Sequence, residues 1–549
     1  MKEIAASESI ENIKKRDCIY VDKSQYVYEL VKRYERVFFS RPRRFGKSLT
    51  LDTIGTLFEQ GTDPYFKDTW ICDKWEFGTY PVLRLNFLDY STDDVEEFKE
   101  FLSADLSDFA EDLGLTGKVK SSHPVQALKQ LCKALGSRQM VLLIDEYDCQ
   151  LTANINDNVL YEKFRKIIRR FYGALKGKKQ IKFLAVTGVT RLKDVSIFSA
   201  GSDIEDLSYD SAYSQMIGFT REEIKHFYDD YLRLAVSYEN KDVRPEEATE
   251  TQIDDLLDRM AYHYDGYCFD NKYRDKVFST WSVNHFLRAI GTDKEVKFGD
   301  YWYDAGGLPT ILVNYLKSHG TAVLQSYEDL GGRPGATVDV DYDDFKNPSS
   351  LLDIDQNVLM CQTGYLTLKS AMDGDPDFLQ LGFANYETAK ALSKRLRRQL
   401  FPYMDSEHSR HARSVLEHGD AKAIVSHLNE TLASVSYDNF PFDNEAVVRS
   451  LLFFYVRHYS DNVRTEGHNY KGSSDLTVSF TGRVLVFEFK FSPDGKGLES
   501  LLESAKSQIK ERDYGRESLD GRELLRIACV FDASPKERQI TSWQEVAAS

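Results

Sequence analysis

Residues 40–48 read SRPRRFGKS, between the apolar run VFF at 37–39 and a helical pattern, LTLDTIGTLFEQ, that begins at Leu49. A strand, a short loop ending in Gly-Lys-Ser and a helix make a cradle for phosphate, because amide N–H groups at a helix start face an anion. In the pattern G-x-x-x-x-G-K-[ST], Gly46 gives the loop its close turn. Lys47 supplies a cation for the β- and γ-phosphates, and Ser48 a hydroxyl for Mg²⁺. The first glycine of that pattern would fall at position 41, where this chain has Arg41.

Downstream, MVLLIDEYD at 140–148 is an apolar run ending in adjacent acids. Asp145 suits Mg²⁺ and Glu146 suits orienting or polarising an attacking water. Alternation along a strand sends the two to opposite sides. FLAVTGVTR (183–191) adds Thr187 and Thr190 as sensors of a γ-phosphate and Arg191 as a stabiliser of transition-state charge, with ordinary strand-end polarity left open. The runs at 37–39, 81–87, 140–145 and 181–188 are apolar without alternation, as in strands covered on both faces of a parallel sheet. Helical stretches between them give an α/β domain over 1–216.

From Gly218 the texture becomes helical. Thr220 and Glu223 form a capping box pattern, and 251–264 and 281–290 carry helical periodicity, so 217–330 reads as a helical lid domain. Residues 328–350 are polar and rich in Gly and Asp, which predicts a loop or linker. The segment 331–435 reads as a mixed, then helical, connector. Within it Lys390, Lys394 and Arg397 or Arg398 form a basic stripe at helical spacing. From 436 to 549 a further α/β unit is expected: a helix at 443–459, a hairpin at 474–491, a helix at 498–512 and a strand at 524–532.

That hairpin has its own chemistry. SDLTVSF (474–480) and RVLVFEFKF (483–491) flank Thr481-Gly482, a two-residue turn. Pairing Leu476 with Phe487 and Val478 with Leu485 sets Asp475 opposite Glu488, with Cβ atoms about 4.5–5.5 Å apart. Like charges so placed destabilise a sheet unless a cation lies between them or one is protonated. A hard divalent ion such as Mg²⁺ takes carboxylate oxygens of this kind. Lys490 projects from the same face, where it can steer a water or meet phosphate charge.

Composition narrows the field. The chain has 549 residues and a net charge of −16, which disfavours a passive nucleic-acid coat but not an enzyme with a local basic groove. Segment 436–549 holds 15 Lys and Arg against 18 Asp and Glu, so a cleft there would lean on a metal and on the 390–398 stripe. Seven scattered cysteines form no C-x-x-C, which fits a reducing, cytoplasmic setting better than a disulfide framework or a zinc site. No apolar run is long enough for a spanning helix, so no membrane role is expected.

Taken in order, YVDKS (20–24), RPRRFGKSL (41–49), LIDEYD (143–148), TGVTR (187–191), YDGYCF (264–269) and CQTGYL (361–366) resemble the AAA-ATPase-like family. Members commonly carry a C-terminal nuclease domain of the PD-(D/E)XK superfamily, and the Asp475…Glu488-x-Lys490 set resembles its metal-binding core. Ser474 stands where that motif often has Pro. The resemblance implies a P-loop NTPase parallel sheet, a helical lid and a restriction-endonuclease-like α/β domain. It implies ATP and Mg²⁺ as cofactors, with Arg44, Gly46, Lys47, Ser48, Asp145 and Thr187 at the nucleotide and Glu146 and Arg191 catalytic. In that family an Arg-rich loop before Gly-Lys-Ser is usual, so Arg41 looks like a family trait. It implies Glu445 as a third acid beside Asp475 and Glu488, with Gln508 on the following helix and Tyr514 two positions beyond the usual Q-x-x-x-Y spacing. Nucleic acid, DNA or RNA, is the partner implied; oligomeric state stays open. The alternative is a nucleotide-dependent signalling or scaffold switch whose C-terminal domain binds without cutting. His263 reads as a packed or capping residue, and nothing in the sequence gives residues 264–266 a task.

Overall fold

The computed structural model describes residues 1–5, 9–192, 203–304, 310–346, 348, 350–351, 354–372, 375–401, 406–435, 440–460, 462–469, 472–515 and 521–547. They form two compact units: 1–315 with 337–388, and 316–336 with 389–549. The stretch 331–435, read as one connector, is thus shared between them.

The first unit is built on a five-stranded parallel sheet of β1 (Arg36–Ser40), β2 (Val82–Asn86), β3 (Met140–Asp145), β4 (Ile181–Gly188) and β5 (Glu205–Asp206), in the order β2-β3-β4-β1-β5. Val37, Phe38, Val141, Leu142, Leu184 and Ala185 are fully buried, as unalternated apolar strands require. Because β4 lies between β1 and β3, the loop after β1 and the acids after β3 reach the same end of the sheet from two strands apart. The loop leads into the helix Lys47–Gln60, with Gly46 at φ +102 as its N-cap.

The helical stretch follows as expected. Thr220 and Glu223 close a reciprocal capping box on the helix Arg221–Phe227, and Glu250–Tyr264 and Thr280–Asp293 pack Leu256, Met260, Phe286 and Leu287 into a shared core. The polar segment 328–350 is not a plain linker. It contains β6 (Val338–Asp341) and a short helix, Tyr342–Lys346. With β7 (Leu366–Met372) and β8 (Asp375–Phe383), β6 makes a three-stranded sheet in the order β6-β8-β7. The sequence hid this strand because its VDVD alternation is half acidic, and Val340 alone is buried.

The second unit carries a mixed sheet, β13-β12-β11-β10-β9, of β9 (Asn462–Asn469), β10 (Gly472–Ser479), β11 (Arg483–Ser492), β12 (Glu523–Asp532) and β13 (Gln539–Glu545). Strands β11 and β12 are parallel, and the helix Leu498–Arg512 crosses between them, burying Ala505 and Ile509 against Val484, Val486 and Ala528. The β10–β11 register is the expected one: Leu476 faces Phe487 and Val478 faces Leu485. Val484 and Val486 are as buried as Leu485 and Phe487, so both faces of this hairpin are covered.

Candidate functional sites

At the C-terminal end of the parallel sheet, Lys47 and Ser48 open the loop helix and meet the acids that end β3. The Ser48 hydroxyl donates to Asp145 Oδ2 at 2.6 Å, and Lys47 Nζ lies 3.5 Å from Glu146 Oε1 and 3.4 Å from the Pro42 carbonyl. The two acids do not diverge as strand alternation predicts. The strand stops at Asp145, and Glu146 adopts a left-handed backbone at φ +50, which turns both carboxylates toward the loop. Burial, reinforced by the Glu146 charge and opposed by Lys47, pushes the Asp145 carboxyl up to about 6. Arg44 also has a left-handed backbone, φ +70, and its guanidinium lies 4.2 Å over the Trp281 ring. Arg44, Gly46, Leu49 and Thr50 border an open cleft of about 570 Å³, lined elsewhere by Val21, Ile217 and Trp281 among others.

Strand β4 and the residues after it contribute less than expected. Thr187 is fully buried, and its hydroxyl has no hydrogen-bond partner among the described residues. Asp148, the last acid of LIDEYD, is buried and accepts from the Thr190 amide (2.6 Å), the Thr190 hydroxyl and the Val189 amide (3.3 Å). Thr190 is therefore a clasp between the ends of β3 and β4. Arg191 forms an ion pair with Asp206 at the end of β5, across β1 from the acids of β3, and its amide donates to Gln362. The sequence offered Arg191 to the phosphate site; its described ion-pair partner lies on the other side of the loop strand.

In the second unit, β10, β11 and the helix Glu445–Arg457 bring four charged groups together. The β10–β11 ladder ends at the Leu476–Phe487 pair, and next to it Asp475 Oδ2 accepts from the Phe489 amide, beside Glu488, at 2.7 Å. Lys490 Nζ stands 3.3 Å from Glu488 Oε1, 4.0 Å from Glu445 Oε1, and donates to the Phe489 carbonyl at 2.9 Å. Glu488 is 2% exposed, and its Oε2 has no hydrogen-bond partner among the described residues. Burial first, then the Asp475 charge, push its carboxyl up to about 7 despite Lys490. Glu445 is raised as well, by burial and then by Asp475, with Lys490 opposing.

Among the described residues, no three His, Cys, Asp or Glu side chains are grouped to hold a metal ion. The expected trio of Glu445, Asp475 and Glu488 is thus not a ready three-acid cage, since Lys490 takes one oxygen of Glu488 and reaches toward Glu445. What remains is a pair. An orphaned, buried carboxylate oxygen on Glu488 beside Asp475 is a donor set that fits a hard divalent cation. Tyr514, buried behind β11, accepts from Arg512 at 2.8 Å, and Gln508 Oε1 is buried without a partner among the described residues. His263 stacks on Phe298 at 4.5 Å as a packing residue.

Two family models match the chain: predicted AAA-ATPase over residues 5–198 and PD-(D/E)XK nuclease superfamily over residues 443–543. The chain joins an AAA-ATPase-like domain to a PD-(D/E)XK nuclease superfamily domain. The loop at 40–48 and both acids after β3 fall inside the ATPase-like match, and Glu445, Asp475, Glu488 and Lys490 inside the nuclease-superfamily match. A curated relative, an uncharacterized protein in the vnfD 5′ region of Azotobacter chroococcum mcd 1, is 26% identical over 499 residues, covering 88% of this chain and 89% of its own length. Similar solved structures include a Walker-type ATPase of Pyrococcus abyssi (12% identity, TM-score 0.40, 71% of this chain and 99% of that one). Others are Cdc6p from Pyrobaculum aerophilum (12%, 0.25, 68% and 93%) and the Aeropyrum pernix Orc1 protein in complex with DNA (11%, 0.27, 68% and 92%). No helix among the described residues is long and apolar enough to cross a membrane.

Proposed function

We propose that the chain binds and hydrolyses ATP in its first unit and hydrolyses nucleic-acid phosphodiesters in its second, in the cytoplasm. Lys47 would leave Glu146 for the β- and γ-phosphates, and Gly46 and Lys47 would present backbone amides to them. Ser48 and Asp145 would hold Mg²⁺, and Glu146, freed from Lys47, would orient the attacking water. The cleft beside Arg44 and Trp281 has the size and apolar lining for the nucleoside.

In the second unit Asp475 and Glu488 would hold a divalent ion, which when bound supplies charge to polarise a phosphoryl oxygen. Lys490 would then turn its ammonium from Glu488 toward the phosphate. The observation that carries this reading is the buried, half-unpartnered Glu488 set against Asp475. The test uses DNA and RNA oligonucleotides with Mg²⁺: wild type should cut, and Asp475→Ala and Lys490→Ala should not. Equal cutting by all three overturns it.

A nucleotide-dependent switch is the second reading, favoured by the Arg191–Asp206 pair, which occupies the residue expected to speed hydrolysis. Calorimetry separates the two. A switch binds ATP without turnover and shows no Mg²⁺ binding lost in Asp475→Ala.

A further inference from the structure

Two motifs, YDGYCF at 264–269 and CQTGYL at 361–366, play no part in the chemistry above. Both converge on the phosphate loop. Phe45, the residue before Gly46, is buried and meets the rings of Tyr267, Phe269 and Trp302 edge-on at 4.7, 5.6 and 5.9 Å. Arg41, where a glycine would begin the loop, is 1% exposed. Its guanidinium lies 4.2 Å over the Phe269 ring and donates to the carbonyls of Ser40 (2.8 Å), Ser208 (2.6 Å) and Tyr213 (3.2 Å). Gly364 sits at φ +90, and a Cβ there would stand 2.7 Å from Pro42 and 3.0 Å from Trp302.

These supports are themselves tied down. The Cys268 amide donates to the Thr367 hydroxyl at 2.8 Å, and Glu387 accepts from the Trp302 amide at 2.7 Å and the Ser282 hydroxyl at 2.8 Å. The loop's other flank is held where the Thr280 hydroxyl donates to the Arg44 carbonyl at 2.9 Å.

We infer that Tyr267, Phe269 and Gly364 are positioning residues of the phosphate loop. They grip Arg41, Pro42 and Phe45, so that the amides of Gly46 and Lys47 are set in place by packed rings rather than by the turn a first glycine would make. A cation over an aromatic face and edge-to-face rings are directional contacts, so they fix orientation as well as depth. The effect on ATP rests on the proposed nucleotide reading; the effect on the loop does not.

The test reads both in the full chain. Hydrogen exchange is followed at the amides of residues 43–48, and KM and kcat for ATP are measured, in Tyr267→Leu, Tyr267→Phe, Phe269→Leu and Gly364→Ala. Phe286→Leu, in the core of the helical stretch, is the control for general destabilisation. The ring-removing and Gly364 variants should exchange faster at the loop and raise KM by about tenfold, within the roughly hundredfold that a 1 Å misplacement can cost. Tyr267→Phe, which keeps the ring, should match wild type. Unchanged loop exchange in Tyr267→Leu and Phe269→Leu, or an equal rise in Phe286→Leu, overturns the inference. If wild type shows no ATP binding, the nucleotide reading falls, and the exchange data alone decide whether these residues hold the loop.

Discussion

The Ser48 hydroxyl donates to the Asp145 carboxylate at 2.6 Å, although 97 positions separate the two in sequence and β4 lies between their strands. This bond joins the two halves of the phosphate site before any ligand is considered, and it places a half-buried acid where Mg²⁺ would be held.

Burial lifts Asp145 to about 6, so in the folded chain it takes up its proton across the mildly acidic range. A metal must displace that proton, so Mg²⁺-dependent ATP affinity should fall as pH drops below 6 and level off above 7. Asp145→Asn should weaken Mg²⁺-dependent binding at least tenfold at pH 7.5 and flatten this profile, an order-of-magnitude expectation for loss of a ligand. Titration calorimetry at pH 5.5, 6.5 and 7.5 checks it.

Glu488 is the stronger case, at about 7. Its folded value lies above that of an unfolded glutamate, so the folded state binds more protons between the two. Its contribution to stability is therefore present at low pH and lost as pH rises from about 4.5 through 7. Without divalent metal at pH 8, Glu488→Gln should be more stable than wild type by about 3 kcal/mol, from the free energy of a pKa shift of this size. Mg²⁺ should raise the wild-type Tm and leave that of Glu488→Gln unmoved. Thermal unfolding in EDTA and in Mg²⁺ measures both.

Gly266 has φ +94, and a Cβ there would run into the Ala384 carbonyl oxygen. Gly266→Ala should cost about 3 kcal/mol, combining an unfavourable backbone with an overpacked contact. Urea unfolding should show a lower midpoint. A midpoint equal to wild type would mean the turn can open at no cost.

Thr220 caps its helix in both directions with Glu223, which Lys23 also holds at 2.6 Å. Thr220→Ala should cost about 1 kcal/mol and Thr220→Ser much less. Chemical unfolding of the pair resolves the difference.

The parallel sheet and the hairpin register were legible because each rests on a local pattern: unbroken apolar runs for β1, β3 and β4, and alternation around Thr481-Gly482 for β10 and β11; β2, read as covered on both faces, is instead an edge strand that exposes Arg84. The capping box at Thr220 was legible for the same reason. What escaped depended on distant partners. Glu146 reads as a strand residue until its left-handed backbone turns it toward Lys47. Thr190 reads as a sensor until Asp148 is found holding it. Strand β6 is half acidic, and only its pairing with β8 makes it a strand. The tasks of Tyr267 and Gly364 could not be read from their own neighbours, because the atoms they touch belong to residues 42–45.

The two units interleave along the chain, changing over at 315/316, 336/337 and 388/389. A ribosome delivering this polypeptide therefore cannot finish the first unit before part of the second has emerged. One protease nick would not part them into intact halves, and a gene split at any one point would leave at least one unit short of a piece. A first unit ended at residue 330 would keep Lys47 and Asp145 yet lose the Gly364 turn that rests on Pro42, so the way the chain is threaded binds both units into one reading frame.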